Sequence, residues 1–125
     1  MKKHLDKVKE FNKGFNIDKV PHSLRYKLLQ EEVDEFRDAE RQTFANPNTH
    51  IDKVLRADAL VDIYYLWLGA VIDANLEEKF DDLFDEVHRS NMSKLEDGKP
   101  IYREDGKVLK GKDYFKPNLR KILFE

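Results

Sequence analysis

Between Ala59 and Ile72 the chain is apolar at nearly every position; the exceptions are Asp62, Gly69 and two tyrosine hydroxyls. Wound at helical pitch, such a stretch is apolar all round, and a helix of that kind has to be surrounded by protein. The flanking segments carry the stripes that could cover it. Leu5, Val8 and Phe11 recur at helical spacing and predict a helix over 2–13, ended by Gly14 and the NIDKVP stretch. Leu24, Leu28, Leu29, Phe36 and Ala39 predict a second helix from about Ser23, a candidate N-cap, to about Phe44. After the NPNTH loop the apolar helix runs from about Ile51 to Ala74. Asn75 is then placed to cap a fourth helix, with Glu77 and Glu78 in its first turn and Leu76, Phe80, Leu83, Phe84 and Val87 as its stripe, ending near Gly98. The expected architecture is all-α: a single domain over 1–125, an antiparallel four-helix bundle over about 2–97 and an irregular basic arm over about 98–125. Within the arm, IYR and KVL flank Glu104-Asp105-Gly106, a hairpin signal, and LRKILF suits a short docking helix.

The absence of Cys removes disulfides, thiolate zinc sites and thiol catalysis. The opening residues are too charged for a signal-peptide core, and no apolar run approaches membrane-spanning length, so a cytoplasmic protein with no membrane contact is expected. The net charge of −2 divides unevenly. Residues 89–121 carry ten basic and five acidic side chains, which leaves −7 for the remainder. One part is suited to cations and another to anions.

The acids fall where core should be. On the second helix Glu32 stands four residues after Leu28 and four before Phe36, on the apolar stripe. Glu31 and Glu35 lie within about 100° of it. On the third helix Asp58 and Asp62 share a face, and Asp62 sits in the most apolar segment of the chain. Charged helix faces usually pair with Lys or Arg, and that explains Asp34, Asp38 and Glu40. It does not explain Asp62, which has an apolar surround and no cation near it in sequence. Five converging carboxylates repel one another unless a cation neutralises them. Oxygen ligands without His or Cys suit Mg²⁺, with Mn²⁺ as the substitute. A di-iron bundle would need Glu-x-x-His, which no histidine here completes.

The stripe of the fourth helix turns polar at Asn91 and Lys94, beside Arg89. Lys near a helix C-terminus ordinarily answers the helix dipole. Together with a basic arm, these residues would also suit phosphate oxygens beside a metal. Aromatics interleave the arm, but the chain is slightly acidic and carries no nucleic-acid-binding motif, so stable nucleic-acid binding is not expected.

These residues resemble the all-α nucleoside triphosphate pyrophosphohydrolase superfamily, the group of MazG, dimeric dUTPases and phosphoribosyl-ATP pyrophosphohydrolase. The family's EExxE looks like Glu31-Glu32-Val33-Asp34-Glu35, preceded by Leu28-Leu29. Its later ExxD looks like the segment ending at Asp62, except that Ala59 stands where the family has Glu and Asp58 lies one residue earlier. VKEFNKGFN at 8–16 and the run from Val87 to Leu119 are most similar to the small phosphoribosyl-ATP-pyrophosphohydrolase-like, or Cof-like, subgroup.

The resemblance implies Mg²⁺-dependent hydrolysis of a nucleoside triphosphate, such as dUTP or another dNTP, to monophosphate and pyrophosphate in nucleotide-pool house-cleaning. It implies that Glu32, Glu35, Asp58 and Asp62 hold metal and that Glu31 activates water. Arg89, Asn91, Lys94 and Lys110 would bind phosphate, Tyr114 would close over the substrate, and Phe11, Asn12 and Phe15 would meet base and sugar. For the two phenylalanines plain core packing is the competing reading. A homodimer, or a dimer of dimers, is implied too, since one four-helix layer could not cover the third helix on every side. The alternatives are phosphoribosyl-ATP hydrolysis, and a helical dimerisation module of the same fold that has lost activity.

Overall fold

A computed structural model describes residues 1–18 and 20–125; Lys19, inside the NIDKVP stretch expected to end the first helix, lies outside the described residues. The chain is all-α. Its five helices are α1 (Lys2–Gly14), α2 (His22–Ala45), α3 (Thr49–Asp73), α4 (Phe80–Met92) and α5 (Leu119–Phe124), and there is no strand among the described residues. Two compact units make up the chain, Met1–Glu77 and Glu78–Glu125. No helix is long and apolar enough to cross a membrane among the described residues.

In the first unit α2 and α3 form the main pairing, and α1 packs on α3. Leu5 and Val8 of α1 are buried, as are Ala39 of α2 and Ala59, Leu68 and Val71 of α3. Cross-helix contacts match early residues of α2 with late residues of α3, so the two run antiparallel: Arg25 meets Asp73, while Glu40 pairs with Arg56. The tight connection depends on Asn48. Its side-chain oxygen accepts the Ile51 N–H at 3.2 Å, and its own N–H donates to the Asp52 carboxylate at 2.6 Å. Caps of this kind are worth about 1 kcal/mol. The α3 cover is partial: Val61 is 60% exposed, and Leu60 and Val54 are also exposed.

Asn75 behaves otherwise than its sequence setting suggested. It does not cap α4, which begins five residues later with Asp81 and Asp82 in its first turn. Asn75 instead closes α3. Its φ of 57° is left-handed, its N–H donates to the Ile72 carbonyl, and the Leu76 N–H reaches back to Val71. This is the Schellman arrangement, with Asn in the position glycine usually takes. Asn16 ends α1 in the same way, with a φ of 56° and Ile17 N–H donating to Asn12. Helix α2 likewise starts earlier than expected: Pro21 occupies the N-cap position without a side-chain cap, and Ser23 is already inside the helix.

In the second unit α4 stops at Met92, not near Gly98, because the chain enters a tight turn. Asp97 and Gly98 both have positive φ, and Glu96 and Lys99 exchange backbone hydrogen bonds across them. Asp-Gly is the pair that such a primed turn requires. The second Asp-Gly forms the expected hairpin: Tyr102 bridges Val108, and Gly106 takes φ 88°. Single bridges replace the short strands. The arm is held against α4, where the buried Ser90 hydroxyl donates to the Phe115 carbonyl at 2.8 Å and the Phe115 N–H donates to the Ser93 hydroxyl at 3.1 Å. Helix α5 is capped by Asn118, which accepts the Lys121 N–H.

Candidate active site

The 3.6-residue pitch of α2 places Glu32 and Glu35 one turn apart, and the antiparallel α3 brings Asp62 opposite them. One carboxylate oxygen from each of the three lies within 4.8 Å of the others. Glu32 is half-buried, and its Oε2 is buried without a hydrogen-bond partner. Burial, a hydrogen bond shared with Glu35, and the charges of Glu35, Asp62 and Asp58 raise the Glu32 pKa from 4.5 to about 7. Asp62 is pushed up as well, first by burial and then by Asp58 and Glu35. No Lys or Arg forms an ion pair with these three acids among the described residues. An orphaned buried carboxylate oxygen within a set of hard donors fits a divalent cation such as Mg²⁺ or Mn²⁺.

The other expected acids separate by environment. Asp34 is engaged by Gln30 and Arg37, Asp38 by Arg37, and Glu40 by Arg56 at 2.5 Å, as ordinary charged-face residues. Asp58 is exposed and stands outside the group of three, yet it contributes to the field on Glu32 and Asp62. With Glu35 it lines a cavity of about 240 Å³ completed by Asp38, Ala39, Gln42, Leu55 and Ala59. Ala59 is buried, and the exposed Asp58 beside it lines the same cavity. Glu31 is exposed and adjacent in chain to Glu32.

Phe11 and Phe15 are exposed, with ring centroids 4.6 Å apart, and Phe11 meets Tyr65 edge-on at 5.8 Å. Simple core packing therefore does not account for them. Tyr65, not among the residues expected at the site, lies one turn beyond Asp62 on α3. Asn12 serves the helix end, its carbonyl accepting the Ile17 N–H.

The expected phosphate-binding residues all belong to the second unit. Arg89 donates from Nε and Nη2 to the two oxygens of Glu86, at 3.0 and 2.9 Å, and lies 4.3 Å from the Phe115 ring centroid. Hydrogen bonds from Arg89 and the Asn118 N–H hold Glu86 below the usual carboxylate range. Asn91 is exposed in the last turn of α4, and Lys94 follows the helix instead of lying on it. The Gly111 N–H donates to the Lys94 carbonyl at 2.9 Å, and a Cβ at Gly111 would stand 2.7 Å from that oxygen. This close approach gathers Lys94, Lys110 and Tyr114 in one region of the unit, with Lys110 Nζ 4.8 Å from the Tyr114 ring centroid.

The sequence model described as phosphoribosyl-ATP pyrophosphohydrolase matches residues 2–91, a span that includes α1 to α3 and nearly all of α4. Every acid of the candidate site falls inside that match, whereas Lys94, Lys110 and Tyr114 lie beyond it. A search of the curated proteins finds no match to the chain.

Proposed function

We propose, since this chain belongs to the phosphoribosyl-ATP pyrophosphohydrolase family, that it cleaves a nucleoside triphosphate between the α and β phosphates, releasing the monophosphate and pyrophosphate. The family lies within the all-α MazG-like nucleoside triphosphate pyrophosphohydrolases, and the chain is accordingly a hydrolase acting on acid anhydrides. The observation that carries the proposal is the set of Glu32, Glu35 and Asp62, converging inside the matched span with no ion-paired Lys or Arg among the described residues. In the proposed assignment these three, with Asp58 at the rim, hold Mg²⁺. The bound ion supplies charge neutralisation for the phosphate oxygens. Glu31 orients water toward the α phosphorus and accepts its proton as the P–O bond to the pyrophosphate breaks. Arg89, Asn91, Lys94 and Lys110 take phosphate oxygens; Arg89 keeps Nη1 available beyond its Glu86 pair. The exposed rings of Phe11, Phe15 and Tyr65 offer a surface for the base, and Tyr114 is assigned a contact with the substrate.

A dNTP such as dUTP is the substrate we favour, in house-cleaning of the cytoplasmic nucleotide pool. The description of the matching family favours a second reading, phosphoribosyl-ATP. The exposed Val61, Tyr26, Val33 and Phe44, the last 92% accessible, support burial against a second copy in a homodimer or a dimer of dimers. The test is a panel of every dNTP and NTP, with phosphoribosyl-ATP, incubated with Mg²⁺ and resolved by anion exchange. Monophosphate and pyrophosphate from a dNTP support the first substrate. A kcat/KM highest for phosphoribosyl-ATP establishes the second, and diphosphate with free phosphate refutes the chemistry. A monomer in light scattering at micromolar concentration would overturn the dimer.

A further inference from the structure

Arg25 crosses from α2 to α3 in a way that none of the roles above uses. Its Nη2 and Nε donate to Asp73 Oδ2 at 2.8 and 3.2 Å, and its Nη1 reaches toward the Leu66 carbonyl at 3.4 Å. The Arg25 and Asp73 side chains are only 13% and 15% exposed. The guanidinium lies directly on Gly69, where a Cβ would stand 2.6 Å from Nη1. The glycine that interrupts the apolar helix thus makes room for this crossing.

The crossing is aligned with the acids. Arg25 precedes Glu32 by seven residues on α2, and Gly69 follows Asp62 by seven on α3. Seven residues are two turns, so the latch stands about 10 Å along the same seam. Beyond the acids in the other direction, the helices are tied by the Glu40–Arg56 pair and the short connection at Asn46–Asn48. The mutually repelling carboxylates therefore occupy the middle of a hairpin covalently closed at one end and held by Arg25 at the other. We infer that Arg25 is a positioning residue: latched over Gly69 onto Asp73, it keeps the α2 and α3 segments bearing Glu32, Glu35 and Asp62 together against their own repulsion. The inference rests on the reading of these three acids as one site. Arginine suits the task because its planar fork serves the carboxylate and the carbonyl at once, which an ammonium does not.

The test has two arms on the full-length chain. In the first, amide exchange is followed without metal for Arg25→Gln, Arg25→Lys and Gly69→Ala. Arg25→Gln and Gly69→Ala should speed exchange at amides 26–36 by tenfold or more, and Arg25→Lys by less. Alanine favours helix over glycine, so acceleration in Gly69→Ala cannot come from propensity. Adding Glu32→Gln to Arg25→Gln should restore most of the protection. A merely structural contact predicts independent, additive effects at that separation. In the second arm Mn²⁺ binding is read by loss of the free-ion paramagnetic signal. Arg25→Gln should weaken binding at least tenfold, with partial recovery in Arg25→Lys. Unchanged exchange in the single variants, or no restoration by Glu32→Gln, overturns the inference. If the wild-type chain binds no Mn²⁺, the metal reading fails and the exchange arm still decides the latch. Should Arg25→Gln not fold, Gly69→Ala with and without Glu32→Gln carries the same comparison.

Discussion

Replacing Glu32 by Gln removes one charge from the acid group and keeps the side chain's shape. At 4.8 Å two unit charges repel by about 1 kcal/mol in a water-like dielectric and by about 3.5 kcal/mol at an effective constant of 20. The rise of the Glu32 pKa from 4.5 to about 7 sets a ceiling of about 3 kcal/mol on what ionisation costs the folded chain. Glu35 and Asp58 are exposed, so solvent screens much of the field and about 1 kcal/mol is the expected gain. For a chain of this length that corresponds to about 4 °C in Tm. The pH dependence has a definite sign. Between 4.5 and 7 the folded wild type retains a proton that the unfolded chain has lost, so its stability falls as pH rises through that window. Glu32→Gln does not titrate there. Its advantage should be absent near pH 4, grow up to about pH 7 and then level off. With saturating Mg²⁺ the order should invert, because the variant has lost a ligand. Thermal unfolding at pH 4.5 and pH 8, with EDTA and with Mg²⁺, reads all four conditions. A gain equal at both pH values, or equal stabilisation of both proteins by Mg²⁺, would refute the reasoning.

Asp62→Asn should lose turnover at least a hundredfold while circular dichroism shows the helices retained; unchanged turnover removes Asp62 from the metal set. Glu31→Gln should still bind Mn²⁺ and nucleotide in calorimetry while hydrolysing slowly, since the exposed Glu31 stands outside the three-acid group. Ala59→Glu adds an acid at the family's position; it should tighten Mn²⁺ binding and lower metal-free stability, and a variant that binds no better assigns that role to Asp58 alone. Asn75→Gly should be neutral or stabilising in urea unfolding, whereas Asn75→Ser should cost about 1 kcal/mol, the reverse of what an N-cap would show.

The acid pair on α2 was legible because both residues lie within one helix, where spacing alone fixes the face. Asp62 was legible by contradiction, as a charge in an apolar run. Asn75 reads as an N-cap in the sequence because asparagine serves equally there and in a left-handed terminus, and only backbone geometry separates the two. The end of α4 differs from its expected place because Asp97-Gly98 reads as a helix stop in the sequence, whereas the pair turns Lys99 back to Glu96. Glu86 lies three residues before Arg89, a spacing open to inspection, but the arm's Asn118 also contributes to that carboxylate. The Arg25–Asp73 contact spans 48 positions and left no periodic trace; Gly69 was its one mark, visible only as an interruption in an apolar helix.

The arm's docking separates two properties that usually travel together. Phe115 is gripped through its peptide groups: its carbonyl takes the Ser90 hydroxyl and its N–H gives to Ser93, whose own hydroxyl turns back to the Ser90 carbonyl at 2.5 Å. None of these bonds involves the ring. Position 115 thus has a fixed address and an interchangeable side chain, much as a β-strand partner is recognised by its backbone and varied by its residues. The ring beside Arg89 takes no part in that fastening, while loss of either serine removes part of it whatever stands at 115, leaving the Gly111–Lys94 and Asn118–Glu86 bonds to tie the arm. Substitutions that retune this part of the arm are therefore open at 115 and closed at Ser90 and Ser93.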